Sequence, residues 1–282
     1  MSKESVTSAK RPCAEILALA VSTAAACGQA PQAAGTPDAS PDSGAASAVA
    51  QQGQVFAFDT KLGGGSELFG LSAQFEQGIG SACASRAVGA CSVFRCAPAA
   101  GGGQVLSNLN AGTITVTGGS QQAVLVPASD NTYSYSGLVS FSTGATVGFA
   151  ATGADVAAWN ANVTFPSPIT VTNPSGNRLV VDHTTDLAMA WTGGSSKVLV
   201  TVQEGVPDRL VEVTCLFDGA SGTATIPAAA LSDLEPSTTL GSGDAQGDVS
   251  IYSVAAVELS AGGFPVLVGA GSRAFSVLPT IQ

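Results

Sequence analysis

Residues 198–202 read Val-Leu-Val-Thr-Val, and residues 211–217 read Val-Glu-Val-Thr-Cys-Leu-Phe. Val198, Val200 and Val202 fall on one face at a two-residue period, and so do Val211, Val213, Cys215 and Phe217. β-Branched side chains in alternation suit a pleated strand with one face against a core. The same period recurs outward in Leu187-Ala188-Met189-Ala190-Trp191 and in Thr113-Ile114-Thr115-Val116-Thr117. Turn-forming pairs such as Gly118-Gly119 and Asn173-Pro174 bound these runs. Only residues 227–231, Pro-Ala-Ala-Ala-Leu, read as a helical turn, with proline at its start.

Composition points the same way. The chain has 282 residues, 45% of them hydrophobic, with 34 glycines and only 11% charged residues. Much of the apolar content is Ala and Val, which suits thin sandwich cores, and the frequent Gly and Pro interrupt any long helix. About a dozen or more strands are expected, more than one seven-stranded sandwich uses. The expected fold class is therefore all-β: two tandem antiparallel β-sandwich halves of immunoglobulin or fibronectin type. The best internal boundary is Phe165-Pro166-Ser167-Pro168, giving a β-rich segment 55–166 and a second sandwich 167–282. Thr113–Val116 and Ile169–Thr172 echo each other, but four residues are too few to define a repeat.

The amino terminus carries an address. Lys3, Lys10 and Arg11 precede an apolar run, residues 16–26, of 11 residues. That length fits the central region of a secretion signal and is too short to span a bilayer. The run ends Ala24-Ala25-Ala26-Cys27-Gly28. Residues 1–27 resemble the bacterial lipoprotein signal, in which small residues precede a cysteine that is acylated and becomes the first residue of the mature chain. The resemblance makes Cys27 the lipid-attachment residue. Because Gly28 replaces the aspartate that retains such proteins at the inner membrane, it also implies the outer membrane. Ala24-Ala25-Ala26 also fits ordinary signal cleavage, which would leave a secreted chain without lipid. Residues 28–54 are Ala, Pro, Ser, Gly, Gln and Asp with few larger apolar side chains, and read as a disordered linker.

Residues 168–282 resemble a fibronectin type III domain. The likeness rests on Asp186-Leu187-Ala188-Met189-Ala190-Trp191-Thr192, on Leu234-Glu235-Pro236-Ser237-Thr238-Thr239-Leu240, and on Ile251-Tyr252-Ser253-Val254-Ala255-Ala256-Val257. Leu240 stands where that family has its corner tyrosine, and residues 241–248 are inserted between that corner and the strand at 251–257. The resemblance implies a core position for Trp191 and no particular activity.

Cys13 lies in the signal and Cys27 at its end, leaving Cys83, Cys91, Cys96 and Cys215. In an oxidising compartment these four are disulfide candidates, with three possible connectivities. At least one bond is expected in the cluster 83–96, and Cys215 is either a buried thiol or a staple between the halves. Cys91 and Cys96 have zinc-like spacing, but the lone His183 is remote in sequence and no metal is expected.

The chemistry-bearing residues are sparse. His183, the only histidine, could act with Asp182 or Asp186, and Ser195-Ser196-Lys197 could form a Ser-Lys dyad. Gly193-Gly194 before the latter reads as a hairpin turn. Trp159 could be a sugar platform or a core residue. Asp233, Glu235, Asp244 and Asp248 form the one acidic cluster, a calcium candidate without an EF-hand pattern. A net charge of −10 disfavours nucleic acid. The expectation is an exported, lipid-anchored envelope protein, non-catalytic, without cofactor, acting as a binding or structural module for an unknown protein or glycan ligand. The alternatives are an envelope hydrolase of glycan or peptide, and a calcium-binding adhesion module.

Overall fold

The computed structural model describes residues 49–282 apart from 62–66, 80–82, 97–105, 136, 176–178, 195, 207–208 and 237–245; at some strand ends, including Cys83 and Cys96, it describes the backbone alone. The signal, Cys27 and residues 28–48 lie outside these residues; residues 49–54, expected to be linker, instead begin the first strand of the main sheet. The chain is all-β. Its main sheet has nine strands, in the order β3 (Cys83–Val88), β4 (Cys91–Cys96), β14 (Arg209–Asp218), β13 (Lys197–Val206), β16 (Gln246–Ala261), β17 (Phe264–Val277), β1 (Val49–Lys61), β2 (Glu67–Ile79) and β5 (Leu106–Asn108). A four-stranded sheet runs β7 (Ala123–Leu125), β6 (Ile114–Thr117), β8 (Thr146–Ala151), β9 (Trp159–Thr164). A three-stranded sheet runs β10 (Ile169–Asn173), β12 (Leu187–Gly193), β15 (Thr223–Ile226), and β11 (Leu179–Val181) pairs with β18 (Pro279–Ile281). The expected helical turn is α1 (Ala228–Leu231), with Pro227 as its N-cap.

Two apolar cores separate these layers. The four-stranded sheet packs on one end of the nine-stranded sheet, where Ile114, Val116, Phe149 and Phe165 meet Val55, Phe75, Val266 and Val268. The three-stranded sheet, β11, β18 and α1 pack on the other end, where Met189, Trp191, Ile226 and Leu231 meet Val198, Val200, Val202, Val211, Val213 and Cys215. The two valine rows lie opposite each other in register, Val200 with Cys215 and Val202 with Val213. A one-residue slip would turn the buried rows out, at roughly 1.5–3 kcal/mol for each large side chain, so the register is firmly set.

The hairpin β16–β17 serves both cores. Its turn, Gly262-Gly263, has φ of 64° and 96°, the mirror-image turn that only glycine adopts freely. Val249 and Ile251 lie in the second core and Ala261 in the first; Phe264, Val266, Val268 and Ala270 likewise supply the first. The pairing register shifts between Ile251 and Tyr252, a bulge where the strand passes between the cores. Beside it Asp59, Ser272 and Ser253 form a buried polar row across β1, β17 and β16. Ser253 Oγ donates to the Ser167 carbonyl (2.8 Å), which holds the connection at residues 165–168 against this seam.

Three features differ from the sequence reading. Two pairings are parallel, β1 with β17 and β11 with β18. Gly193 and Gly194 do have positive φ, but they carry the chain from β12 in the small sheet to β13 in the large one and make no hairpin. Residues on both sides of 166 also share one sheet, because β1 and β2 extend the β16–β17 hairpin and β3–β4 extends β14. This last arrangement has a direct test. Residues 49–166 and 167–282, produced separately, are each expected to lack dispersed amide resonances, and mixing them to restore dispersion. A folded spectrum from either piece alone would contradict the shared sheet.

Candidate functional site

The residues singled out by chemistry are held in structural roles. His183 lies in the turn after β11, where its Nδ1 is 2.6 Å from the Gln282 carbonyl oxygen. Asp182 instead accepts from the Thr184 amide (2.9 Å) and hydroxyl (2.6 Å). Those two bonds hold its carboxyl below the usual range. Asp186 accepts from the Ala228 amide at the start of α1 (2.8 Å). Neither aspartate orients the imidazole, and the three do not converge as a base and its orienting group would. Lys197 is exposed, and Ser195 lies outside the described residues.

The acidic cluster is dispersed. Asp233 pairs with Arg86 of β3 (3.1 Å). The Glu235 amide donates to buried Glu204 (2.9 Å). Asp248 accepts from the hydroxyls of Ser250 and Ser276, and Asp244 lies outside the described residues. Among the described residues no group of three or more His, Cys, Asp or Glu is placed to hold a metal. Trp159 is 7% exposed and packs with Phe75 in the first core, so it is no sugar platform. Trp191 is likewise a core residue, with its indole N–H donating to the Gly219 carbonyl (2.8 Å).

Cys91 and Cys215 form a disulfide between neighbouring strands β4 and β14, 124 residues apart in sequence. This removes Cys91 from any zinc pair with Cys96. It makes Cys215 the staple that ties a strand from before residue 166 to one from after it.

A further group of polar residues lies on the opposite face of the nine-stranded sheet, turned away from both cores. Ser92, Thr214, Thr201, Ser250 and Ser276 stand in register across five adjacent strands, β4, β14, β13, β16 and β17. Beside this hydroxyl row Phe94, Glu212, Gln203 and Asp248 form a second row. Thr201, Thr214, Ser250 and Glu212 are all at most 4% exposed. Glu212 accepts from the Thr214 hydroxyl (2.9 Å). Burial pushes its carboxyl up to about 7, and the Thr214 bond only partly opposes the shift. Nearby Tyr252 is also raised by burial, despite the positive charge of Arg273. At its other end the same face carries a side-chain chain, Gln54 to Gln74 (3.1 Å) and Gln74 to Glu76.

A protonated carboxyl beside hydroxyls can donate as well as accept hydrogen bonds. At 2% exposure, however, Glu212 is closed off from a dissolved substrate, and the row acts as a cross-strand lock on register. Exposed large apolar side chains are scattered: Val124, Val126 and Leu138 lie near the free edge of β7, while Val180, Val257 and Leu278 lie on or beside other strands.

No family model matches the chain, and neither a curated protein nor a solved structure matches it significantly.

The Glu212 site predicts a pH dependence. Folding holds a proton on Glu212 up to about pH 7, whereas the unfolded chain releases it near 4.5. The stabilisation is therefore complete below about 4.5 and lost as pH rises through about 7. Urea unfolding of Glu212→Gln is expected to show a stability gain over wild type that grows by roughly 3 kcal/mol between acid pH and pH 8. A difference that stays constant across that range would mean that Glu212 is not held protonated.

Proposed function

We propose that this chain is an exported bacterial envelope protein, anchored through lipid on Cys27 in the outer membrane, whose β-sandwich is a non-catalytic binding or structural module. The observation that carries the reading is the Cys91–Cys215 disulfide. Such bonds persist in oxidising compartments and are rare in the cytosol, and this one lies downstream of a segment resembling a lipoprotein signal. The low charged fraction and the net charge of −10 fit a surface that repels nucleic acid.

The non-catalytic part of the proposal is supported by how the chemistry-bearing side chains are used. His183, Asp182, Asp186 and Asp233 close turns, start a helix or pin a hairpin. The fibronectin type III likeness of residues 168–282 bears on architecture alone and supplies no ligand or activity. Residues 28–48 would then hold the sandwich off the membrane surface.

The test is metabolic labelling of the full chain with an alkyne fatty acid in a bacterial host, followed by fractionation. Wild type is expected to carry label in the outer-membrane fraction with its first 26 residues removed, and Cys27→Ala to lose the label. Cleaved protein without label would replace the anchor by secretion. An uncleaved, cytosolic chain with reduced Cys91 and Cys215 would end the export reading altogether.

A further inference from the structure

With Cys91 and Cys215 joined, the remaining cysteines of the described strands are Cys83 on β3 and Cys96 on β4, and the backbone register sets them directly opposite each other. The neighbouring residues fix the kind of pairing. The Leu216 amide donates to the Ala90 carbonyl (3.1 Å), so Ala90 turns its backbone groups toward β14. Hydrogen bonding alternates residue by residue along an antiparallel strand, and neither β4 pairing has a register shift. Ser92, Phe94 and Cys96 therefore also turn their backbone groups toward β14, and Cys91, Val93 and Arg95 turn theirs toward β3. The hairpin agrees, because its two-residue turn Gly89-Ala90, with Gly89 at φ 60°, is closed by the pair Val88 and Cys91.

Cys91 thus meets Cys215 as a non-hydrogen-bonded pair, and their Cα atoms are 4.0 Å apart. Cys96 meets Cys83 as a non-hydrogen-bonded pair of the same class, the one in which facing residues approach most closely, with Cα atoms about 4.5 Å apart. That separation lies within the range a disulfide spans.

We infer that Cys83 and Cys96 are joined by a second cross-strand disulfide, so that β3, β4 and β14 are laced together at two successive ladders. The two thiol sulfurs form one S–S bond and release two protons. The two electrons pass by thiol–disulfide exchange to a disulfide-donating oxidant of the export compartment, which becomes a dithiol. The inference rests on the export reading for that oxidant. Residue parity places Cys96 on the opposite face of β4 from Cys91, the face of Phe94 and the hydroxyl row. The two bonds would therefore fasten the edge hairpin from both faces of the sheet.

The sequence makes the test direct, because Lys61, Arg86, Arg95, Arg178, Arg209 and Arg273 place the four cysteines on four different tryptic peptides. The full chain is recovered from the bacterial envelope, its free thiols are blocked with N-ethylmaleimide, and it is digested without reduction. Mass spectrometry is expected to find peptide 62–86 linked to 96–178, two hydrogens lighter than the sum of the two thiol peptides, and 87–95 linked to 210–273. In Cys83→Ser, peptide 96–178 is expected to carry the blocking group while 87–95 stays linked to 210–273. Blocked Cys83 and Cys96 beside an intact Cys91–Cys215 link would overturn the inference and leave the export reading standing. Linkage of Cys83 to any other cysteine would also overturn it. Four blocked cysteines would overturn both.

Discussion

The β16–β17 hairpin is the constraint on which the rest of the fold depends. At 16 and 14 residues its strands far exceed the usual length, and roughly 50 Å of paired backbone can underlie two cores where an ordinary hairpin underlies one. Nothing apolar bridges the middle of its inner face. Asp59, Ser272 and Ser253 stand there, and Ser253 binds the main chain of Ser167. A buried hydroxyl needs a partner, and this one finds it in the segment that crosses from one covering sheet to the other. The polar row thus separates the two cores and at the same time fixes the crossing. The bulge at Ile251/Tyr252 bends the shared strand at the same level, so each end can face its own covering sheet.

Much of this was legible in the sequence, for an identifiable reason. The period-two valine rows report which face of a strand is buried, and Val198, Val200, Val202, Val211 and Val213 all lie in one core as their alternation implies. The Pro227 turn and the core position of Trp191 were equally visible, since a proline start and a strand-ending tryptophan act locally. Partnership was not visible. Alternation says that β1 has an apolar face, but not that it lies parallel to β17, two hundred residues away. Gly193 and Gly194 show the same limit. Their positive φ was foreseeable, but whether the turn returns to the same sheet or leaves it depends on contacts far away in sequence.

The candidate site was less legible still. Asp182 followed two residues later by Thr184 is the local pattern of an aspartate closing a turn on its own backbone, so its unavailability to His183 could be read from spacing. Glu212 could not be read in this way. Val-Glu-Val-Thr-Cys assigns Glu212 and Thr214 to the polar face of a strand, and alternation alone sends that face to water. In the fold the face is covered, and a carboxyl that would be ionised in solvent instead keeps its proton near neutral pH, with the Thr214 hydroxyl as its partner. The signal that could have found it is the coincidence of rows. Thr214, Thr201 and Ser250 are hydroxyls at matched positions of three strands, and this shows only once the strands are paired.

The placement of the disulfide follows from the same logic of distance. The β4–β14 ladder joins residues 124 apart, among the least local pairings in the chain, and contributes an edge hairpin with only one neighbour to hold it. Bringing such segments together costs closure entropy before any contact forms, and such pairings form slowly. A cross-link over a loop of this length removes that cost from the unfolded state, by about 5 kcal/mol in the chain-entropy account. The β16–β17 hairpin, closed by a two-residue glycine turn, carries no such cost, and no disulfide joins its strands. The Cys91–Cys215 bond falls on the ladder that binds the edge hairpin, which lies before position 166, to a strand that lies after it.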